Sequence, residues 1–521
     1  MKKLLYFLIF IFLKASFSES YKILVSFPVP SKSHNILGNG VVRNLLKAGH
    51  EVTYITPYPI NDPPPNLRQI DVSANINLMQ DNINIKTIME KEVDLKDWKF
   101  FFKMVKSINR DTLLSENVQR LLNDPNEQFD LYMPEWFYTE SHIGIAAVFG
   151  CPYIWISTVE PHWVITRLID ENLHPAYNPD IQSSSSIPFS FYERVQQLTN
   201  QLTMTVIQLF YLDRLEEQQY TDVFKPILAK RGKTLPAYNE ILYNASLTLG
   251  NSHVSLGQAT RLPQSYKPIG GYHIDYNNTA LPKDLKQILD NAKNGVIYFS
   301  MGSILKSKDM PNEIKKGLLK MFGELEYTVL WKFEETLPGL PDNVHILQWA
   351  PQQSILAHPN CILFITHGGL LSTTEAVHFG KPMIGIPVFA DQFINVDRMT
   401  KKGFAKKVDL TFNVAEDLKE TIIDILKDPS YAKRAKELSF IYHDRPVSPG
   451  KELVHWAEHV VRTRGAPHLR SPALQVPLYQ KCYLDLVALL VACLILIRIV
   501  LRKLINLLFN KNKKIRKEKQ I

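Results

Sequence analysis

The residues with the clearest chemical character lie in the stretch FITHGGLLSTTEAVHFGKPMIG, at positions 364–385. An apolar run that is typical of a buried strand ends there in His367, Gly368 and Gly369. Glycines let a backbone approach a ligand closely, and the free N–H groups at the start of a helix attract anions. We therefore expect His367 and Gly369 to contact a phosphate, and Glu375 in the next helix to accept hydrogen bonds from two ribose hydroxyls.

Taken alone, the same stretch is more typical of a tight turn followed by a capped helix. Ser372, Thr373 and Thr374 are residue types that cap helices, and they predict that the helix begins around them. The residues on either side of the stretch decide between the two interpretations.

Polar and aromatic residues also follow the neighbouring strand patterns. Trp349 and Gln352 come at the end of the preceding strand pattern, and they offer a stacking face and an amide for a base. Asp391 and Gln392 follow a later strand pattern and suit sugar hydroxyls. Because ligands bind beyond the carboxyl ends of parallel strands, these residues predict one cleft with places for a base, a ribose, a phosphate and a sugar.

The elements that must position these residues form two blocks of strand patterns. The first block contains YKILVSFPVP, EVTYIT, FDLYMPEWF and PYIWIST, and a helical pattern between the first two makes a β-α-β unit. The second block contains GVIYFSMGS, YTVLWKF, VHILQWAP, CILFITHGG and PMIGIPVF. We predict an α/β fold with two Rossmann-like lobes and a cleft between them.

The same patterns define the organisation of the chain, together with a stretch rich in turn formers at 270–290. We assign 1–20 to a signal peptide, 21–275 and 276–440 to the two lobes, 441–482 to helices that pack back across the lobes, 483–501 to a transmembrane helix and 502–521 to a basic tail.

Both ends of the chain carry membrane-related patterns. The lysines and apolar run of residues 1–20 predict a secretory signal peptide, and Lys14 leaves an uncleaved anchor as the alternative. Residues 483–501 are about one membrane thickness as a helix, with a buried core helix as the alternative. The basic residues that follow indicate the cytoplasmic side, so we expect a single-pass type I protein with its body in the lumen.

The net charge of +9 is concentrated in the tail. Residues 498–521 hold nine Lys or Arg and one acidic residue, so the body is nearly neutral, which argues against nucleic-acid binding. Lys517 and Lys519 stand fifth and third from the end and resemble a dilysine signal for the endoplasmic reticulum.

The four cysteines do not form a disulfide framework, and we expect Cys151 and Cys361 to be free, buried thiols. We see no His, Cys and Asp cluster that argues for a metal, and we expect no cofactor. Asn244 and Asn277 begin glycosylation sequons, which suit a lumenal body.

The motifs WAPQ, HP, THGG, the following Glu, GKP and DQ, in this order, resemble the donor signature of the UDP-glycosyltransferase family. YFSMGS resembles the family's F-S-x-G-S loop, which implies that Ser300, Gly302 and Ser303 lie near the diphosphate of a UDP-sugar co-substrate. The end of the chain, from DRPVSPG to the basic tail, resembles the animal, membrane-bound branch and its insect members. The resemblance covers residues 21–515 and assigns the acceptor to the first lobe and the UDP-sugar to the second.

The resemblance also implies that His34 is the general base that deprotonates the acceptor hydroxyl. Independently, the start of a helix disfavours an imidazolium, although a loop histidine without a role is the alternative. The family usually orients this base with an Asp; Glu135, one methylene longer, stands in that position here. Asp130 is nearby, and we expect it to be structural. The implied reaction is a single displacement with inversion at the anomeric carbon.

Two departures from the family bear on the sugar. Leu371 and Ser372 replace an Asn-Gly pair, so only Ser372 is a candidate donor contact there. Gly250 stands where glucuronate-using relatives carry an Arg, so we expect UDP-glucose in preference to UDP-glucuronate. Trp163 and the aromatic-rich stretch 187–212 are expected to line a pocket for a small lipophilic phenol or alcohol.

Three alternatives remain at this level. One is a transferase that uses UDP-glucuronate, another is a non-catalytic carrier of small lipophiles on the same fold, and the third is an enzyme that makes polymers or glycolipids. The sequence leaves homo-oligomerisation open.

Overall fold

The structure is a computed structural model that describes residues 20–80, 98–180, 183, 185, 187–275, 281–303 and 306–518. Residues 1–19 of the predicted signal peptide, the sequon residue Asn277, and Lys519 of the dilysine pattern lie outside the described residues.

The first lobe is built on a sheet of seven parallel strands in the order β3-β2-β1-β4-β5-β6-β7. The strands are β1 Lys22–Ser26, β2 Glu51–Thr56, β3 Leu67–Asp71, β4 Leu131–Trp136, β5 Ile154–Ser157, β6 Leu247–Gly250 and β7 Tyr266–Pro268. The helices are α1 Lys32–Lys47, α2 Asn77–Gln80, α3 Trp98–Leu114, α4 Glu116–Asn123, α5 Gly144–Phe149, α6 Trp163–Thr166, α7 Phe191–Ile207, α8 Asp213–Lys230 and α9 Tyr238–Leu242.

The second lobe has six parallel strands in the order β10-β9-β8-β11-β12-β13. The strands are β8 Val296–Ser300, β9 Thr328–Lys332, β10 Val344–Leu347, β11 Cys361–Thr366, β12 Met383–Gly385 and β13 Ala405–Lys407. The helices are α10 Lys283–Asn291, α11 Asn312–Gly323, α12 Gln352–Ala357, α13 Leu370–His378, α14 Gln392–Lys401, α15 Val414–Lys427 and α16 Pro429–His443. The predicted class, two doubly wound parallel α/β lobes, is confirmed.

Apolar side chains cover both faces of each sheet, as parallel sheets require. One cluster in the first lobe includes Trp136 and Trp155, and the cluster on the other face includes Val41 of α1. In the second lobe, Trp331 and Phe364 belong to the clusters on opposite faces of the sheet. These cores hold the strand ends, and therefore the loops that follow them, in place.

The chain returns to the first lobe after α16. Helix α17, Pro449–Arg462, buries Leu453, Ala457 and Val460 in the same cluster as Val41. Where the chain crosses, Tyr442 and Arg445 both donate hydrogen bonds to the carbonyl oxygen of Gly270, at 2.9 and 3.0 Å.

Residues 471–518 form a separate unit that contains helices α18 Leu478–Lys481 and α19 Leu484–Glu518. The apolar part of α19, Leu484–Asn510, is long and apolar enough to cross a membrane. It extends beyond the predicted segment 483–501, because the helix continues past Arg498 into the basic tail.

A buried histidine near the end of β4 makes the stability of the body depend on pH. His142 lies with its Nε2 atom 3.2 Å from the carbonyl oxygen of Glu135. Burial lowers the pKa of His142 to about 4, and the hydrogen bond to Glu135 only partly opposes this shift. As the pH falls below about 6.5, the ordinary pKa of histidine, this side chain is protonated in the unfolded chain but stays neutral in the folded one. The free energy of unfolding therefore falls.

We predict that His142→Gln, which keeps an N–H donor for the carbonyl oxygen but cannot titrate, reduces this acid sensitivity. The expected difference approaches about 3 kcal/mol in the free energy of unfolding between pH 7 and pH 4. Urea titrations of the wild type and the variant across this range measure it, and parallel pH profiles for the two proteins would contradict the prediction.

Candidate active site

Loops that follow the strands of both sheets surround a cavity of about 690 Å³. The predicted site residues that line it are His34, Ser300, Gly302, Ser303, Trp349, Gln352, His367, Gly369, Ser372, Glu375, Asp391 and Gln392. The remaining predicted residue of the site, Glu135, lies behind His34. The structure therefore brings together residues that are more than three hundred positions apart in the chain.

His34 and Glu135 meet because their strands are neighbours. Pairing of Ser26 with Pro134 aligns the ends of β1 and β4, so Glu135 lies beneath the first turn of α1. His34 Nδ1 contacts Glu135 Oε1, and their side chains are 13% and 0% exposed. Because Nδ1 faces a carboxylate, it carries the proton, and Nε2 is the basic nitrogen.

The carboxylate of Glu135 has few other contacts with polar groups of the described residues. Glu135 Oε2 is buried and accepts no hydrogen bond from the described part of the chain. The ring of Phe137 packs edge-on against the imidazole of His34, with 4.7 Å between centroids. The pair is therefore enclosed on the protein side, and His34 opens only to the cavity.

In the second lobe, two glycine loops enclose the ring of His367. Pairing of Ser300 with Thr366 sets the loops after β8 and β11 side by side. A Cβ atom on Gly302 would lie 2.5 Å from the His367 ring, and one on Gly369 would lie 2.6 Å from it. Gly302 also has a φ of +85°, which favours glycine. Both glycines are therefore required for the ring to fit.

The environment of His367 makes it a neutral hydrogen-bonding group. Burial, with a smaller contribution from the positive charge of Lys332, lowers the pKa of His367 to about 4. Lys332 Nζ donates to the carbonyl oxygen of Gly302 at 2.8 Å. This lysine supplies the positive charge beside the loops, and the sequence analysis did not single it out, although it ends the strand next to β8 in YTVLWKF.

Helix α13 begins earlier than predicted. Its first residue is Leu370 and its N-cap is Gly369, so the prediction that Ser372, Thr373 and Thr374 cap the helix is wrong. The hydroxyls of Thr373 and Thr374 instead donate back to the carbonyl oxygen of Leu370, at 2.9 and 2.7 Å. The free N–H groups at the helix start therefore follow Gly369 directly, which brings them closer to His367.

Glu375 is held by two glutamines. Its Oε2 accepts from Gln352 Nε2 at 2.6 Å, and its Oε1 accepts from Gln353 Nε2 at 2.9 Å. Trp349, nearby, is 53% exposed, and Lys32 Nζ of the first lobe lies 4.2 Å from its ring centroid. This end of the cavity therefore combines an open aromatic face with a fixed carboxylate.

Asp391 and Gln392 are also held by local contacts. Asp391 Oδ2 accepts from Asn395 at 2.8 Å, and burial raises the pKa of Asp391. Gln392 Oε1 accepts from the backbone N–H groups of Val388 and Phe389, so its amide nitrogen is the group that can donate to a ligand.

The other end of the cavity is apolar. Its lining includes Phe101, Phe102, Met104, Phe137, Tyr138, Trp163, Val164 and Met204. Trp163 lies there as predicted, and Met204 and Gln208 of the stretch 187–212 also line the cavity. The aromatic residues Phe191 and Phe210 of that stretch, however, are 75% and 64% exposed. The rings of Phe101 and Phe102 on α3 provide aromatic lining instead, and the sequence analysis did not predict this helix.

Most of the remaining predicted features lie away from the cavity. Asn244 is exposed after α9, and Cys151 and Cys361 are free cysteines, the second fully buried. Leu371, by contrast, lines the cavity and also packs against the apolar cluster of the first lobe. Among the residues with described positions, no group of three or more His, Cys, Asp or Glu side chains is arranged to hold a metal ion.

Two parallel α/β lobes around a shared cavity are the GT-B architecture, which solved glycosyltransferases share. The glycosyltransferase of kitacinnamycin superposes with a TM-score of 0.53 at 17% identity, covering 85% of this chain and 98% of that one. Spinosyn forosaminyltransferase SpnP gives a TM-score of 0.52 at 16% identity, with 85% and 99% covered.

Sequence comparison identifies the family. The family model described as UDP-glucoronosyl and UDP-glucosyl transferase matches residues 22–520. UDP-glucosyltransferase 2 of Dactylopius coccus is 32% identical over 91% of this chain and 90% of its own length. UDP-glycosyltransferase UGT5 of the same insect is 33% identical over 97% of each, and UDP-glucuronosyltransferase 2B9 of Macaca fascicularis is 27% identical over 90% of each. The chain belongs to the UDP-glycosyltransferase family.

We predict that Gly302→Ala weakens UDP binding, because its methyl group would displace the ring of His367. The expected loss of affinity is about 10- to 100-fold. Gly339→Ala is the matched control: Gly339 also has a positive φ, but its Cβ would meet nothing within 4 Å. Calorimetric titration of UDP into both variants tests this, and equal losses in the two would attribute the effect to backbone strain.

Proposed function

We propose that the protein transfers glucose from UDP-glucose to a hydroxyl of a small lipophilic acceptor, with inversion. His34 Nε2 takes the proton of the acceptor hydroxyl, and the acceptor oxygen forms a bond to the anomeric carbon. The bond from that carbon to the diphosphate oxygen breaks, and UDP leaves from the opposite face. The contact between His34 and Glu135 carries this proposal, because a buried carboxylate stabilises the imidazolium that forms.

The loops of the second lobe suit the departing diphosphate. Backbone N–H groups after Gly369, the neutral ring of His367 and the hydroxyls of Ser300 and Ser303 are donors that can stabilise the developing negative charge. Lys332 donates to the Gly302 carbonyl and so holds this loop in place, while its pairing with Glu334 offsets its charge. Trp349 and Gln352 suit the uracil, and Glu375 suits the ribose. Asp391 and Gln392 suit the hydroxyls of the sugar. Ser372 is a further residue that can contact the UDP-sugar.

Gly250 supports glucose as the transferred sugar. It ends β6, and a Cβ atom there would lie 1.8 Å from the hydroxyl of Tyr266, so the position has no room for an arginine. Arg43 and Lys332 line the cavity, but Arg43 pairs with Asp275 and Lys332 with Glu334. A sugar carboxylate would therefore lack a dedicated partner, whereas hydroxyls find Asp391 and Gln392.

The apolar end of the cavity supports a lipophilic acceptor. Aromatic rings from α3 and from the segment after β4 border the space in front of His34. A phenol, alcohol, pigment or xenobiotic with a flat apolar body would bury its surface there and present its hydroxyl to the base. A cavity of about 690 Å³ gives no comparable support to the synthesis of polymers or glycolipids.

We also propose that the protein is a single-pass type I protein of the endoplasmic reticulum membrane. The apolar part of α19 and the basic residues behind it support this orientation. The exposed side chain of Asn244 is consistent with a glycosylated body in the lumen.

We predict that His34→Ala lowers kcat by about 10²- to 10⁴-fold, the usual contribution of a general base. Glu135→Gln should also lower kcat, because the amide cannot stabilise an imidazolium, while the KM for the donor stays within about twofold. Steady-state kinetics with UDP-glucose and a panel of phenols, read by mass spectrometry, measure both effects. A His34→Ala protein with full transferase activity would instead support a base elsewhere or a carrier function.

We further predict that kcat/KM for UDP-glucose exceeds that for UDP-glucuronate by about tenfold or more, since a buried carboxylate without a partner is costly. Parallel assays on microsomes that contain the full chain, at equal donor concentrations, test the preference. Dominant glucuronate transfer would overturn it without affecting the assignment of the base.

A further inference from the structure

The segment 269–275, which we call the interlobe linker, leads from the first lobe to the second. Helix α1 contacts it through hydrogen bonds and an ion pair. Arg43 donates to the carbonyl oxygens of Tyr272 and His273, at 3.3 and 3.0 Å, and Asn44 donates to that of Tyr272 at 3.0 Å. Arg43 also pairs with Asp275 at 3.0 Å. The linker is therefore positioned by the helix that begins near the base, His34.

The same linker reaches the carboxylate of Glu375 in the second lobe. The side chain of His273 is fully buried, and its Nε2 lies 3.4 Å from Glu375 Oε1. The backbone N–H of Asp275 donates to Gln353 Oε1 at 3.0 Å, and Gln353 Nε2 donates to the same Glu375 oxygen at 2.9 Å. One oxygen of Glu375 thus faces two groups that the linker positions.

We propose that His273 and Gln353 are positioning residues for the ribose of the donor, which they act on through Glu375. This inference rests on the proposed function, in which Glu375 accepts hydrogen bonds from the ribose hydroxyls. The carboxylate can rotate about its terminal bond, and each orientation presents different lone pairs to the cavity. His273 and Gln353 select one orientation, so a segment outside the second lobe's sheet completes the nucleotide site.

The arrangement also explains why a histidine is buried at this position. Neither ring nitrogen of His273 makes a hydrogen bond of good geometry in the described part of the chain, although a carboxylate is near. Burying such a ring without a hydrogen bond costs free energy, and a contact that orients Glu375 gives a reason for a histidine at this position. A small shift of Glu375 toward bound ribose hydroxyls would change the Nε2 contact directly.

The test compares UDP with 2′-deoxy-UDP by calorimetry, using the full chain in detergent. In the wild type, loss of the 2′-hydroxyl should weaken binding about tenfold, as expected for a hydrogen bond to a charged group. In His273→Ala, UDP should bind about tenfold more weakly while 2′-deoxy-UDP changes by less than about threefold, so the preference for ribose disappears. His273→Gln, whose amide can replace Nε2, should restore most of that preference.

The matched control is His50→Ala. His50 is also fully buried, and its Nε2 lies at the same 3.4 Å from a carboxylate, that of Glu458, away from the cavity. This variant should keep the wild-type ratio of the two affinities even if it is less stable. Gln353→Leu, at a partly buried position, provides a second variant should His273→Ala fail to fold, and it should also lose the preference for ribose.

Equal weakening of both nucleotides in His273→Ala and Gln353→Leu would overturn the inference, because a general structural defect does not single out the 2′-hydroxyl. Such a result, with UDP binding and glucosyl transfer intact in the wild type, would leave the proposed function standing. A wild-type chain that binds neither nucleotide would overturn the proposed function and the inference together.

Discussion

Parallel pairing of neighbouring strands is the constraint on which the rest of the structure depends. Because strands that run the same way end at the same edge of a sheet, the loops that leave them must lie side by side. The pairing of Ser26 with Pro134 brings a histidine in the first turn of α1 to a carboxylate on the neighbouring strand. The pairing of Ser300 with Thr366 does the same for two glycine loops in the second lobe. Each half of the site is thus a consequence of strand register.

The two halves use histidine in different ways, and their surroundings account for the difference. His34 Nδ1 faces a buried carboxylate, which leaves Nε2 as the nitrogen that can accept a proton. His367 lies between two glycine backbones near an ammonium group, and its low pKa keeps it neutral. A neutral ring can donate to a phosphate and does not exchange protons at neutral pH. The same side chain therefore suits proton transfer in one lobe and anion binding in the other.

Sequence analysis predicted the parts of the fold that are long and apolar. CILFIT and VIYFS are continuous runs without polar interruption, and both are strands. The short edge strand Ala405–Lys407, of sequence AKK, has no such pattern, and only its place beside β12 makes it a strand. Helix α3 was also missed, although its rings line the cavity. Local sequence does not say which helix covers which strand end.

The site, like the fold, contains parts that the sequence predicts and parts that it does not. Residue types and order predicted which side chains line the cavity, because these residues lie at strand ends or in the loops and helices that come next. The support of Glu375 by Gln353 and His273 could not be predicted, since it joins three segments that meet only after both lobes have formed. The prediction of the cap of α13 was wrong for a local reason. Gly369 adopts the N-cap conformation itself, and the hydroxyl residues that follow are buried within the helix.

The two crossings of the chain between the lobes have a mechanical consequence. They do not lie apart on the surface, because Tyr442 and Arg445 of the second crossing bond to Gly270 of the first. Two separate connections would define a hinge axis along the line between them, whereas two connections that touch act as a pivot. The two crossings are also closely packed at Gly271, where a Cβ atom would lie 1.8 Å from the Tyr442 hydroxyl. When the cleft opens to admit a UDP-sugar, the lobes therefore rotate about this point. The part of the cleft that lies farthest from it moves most.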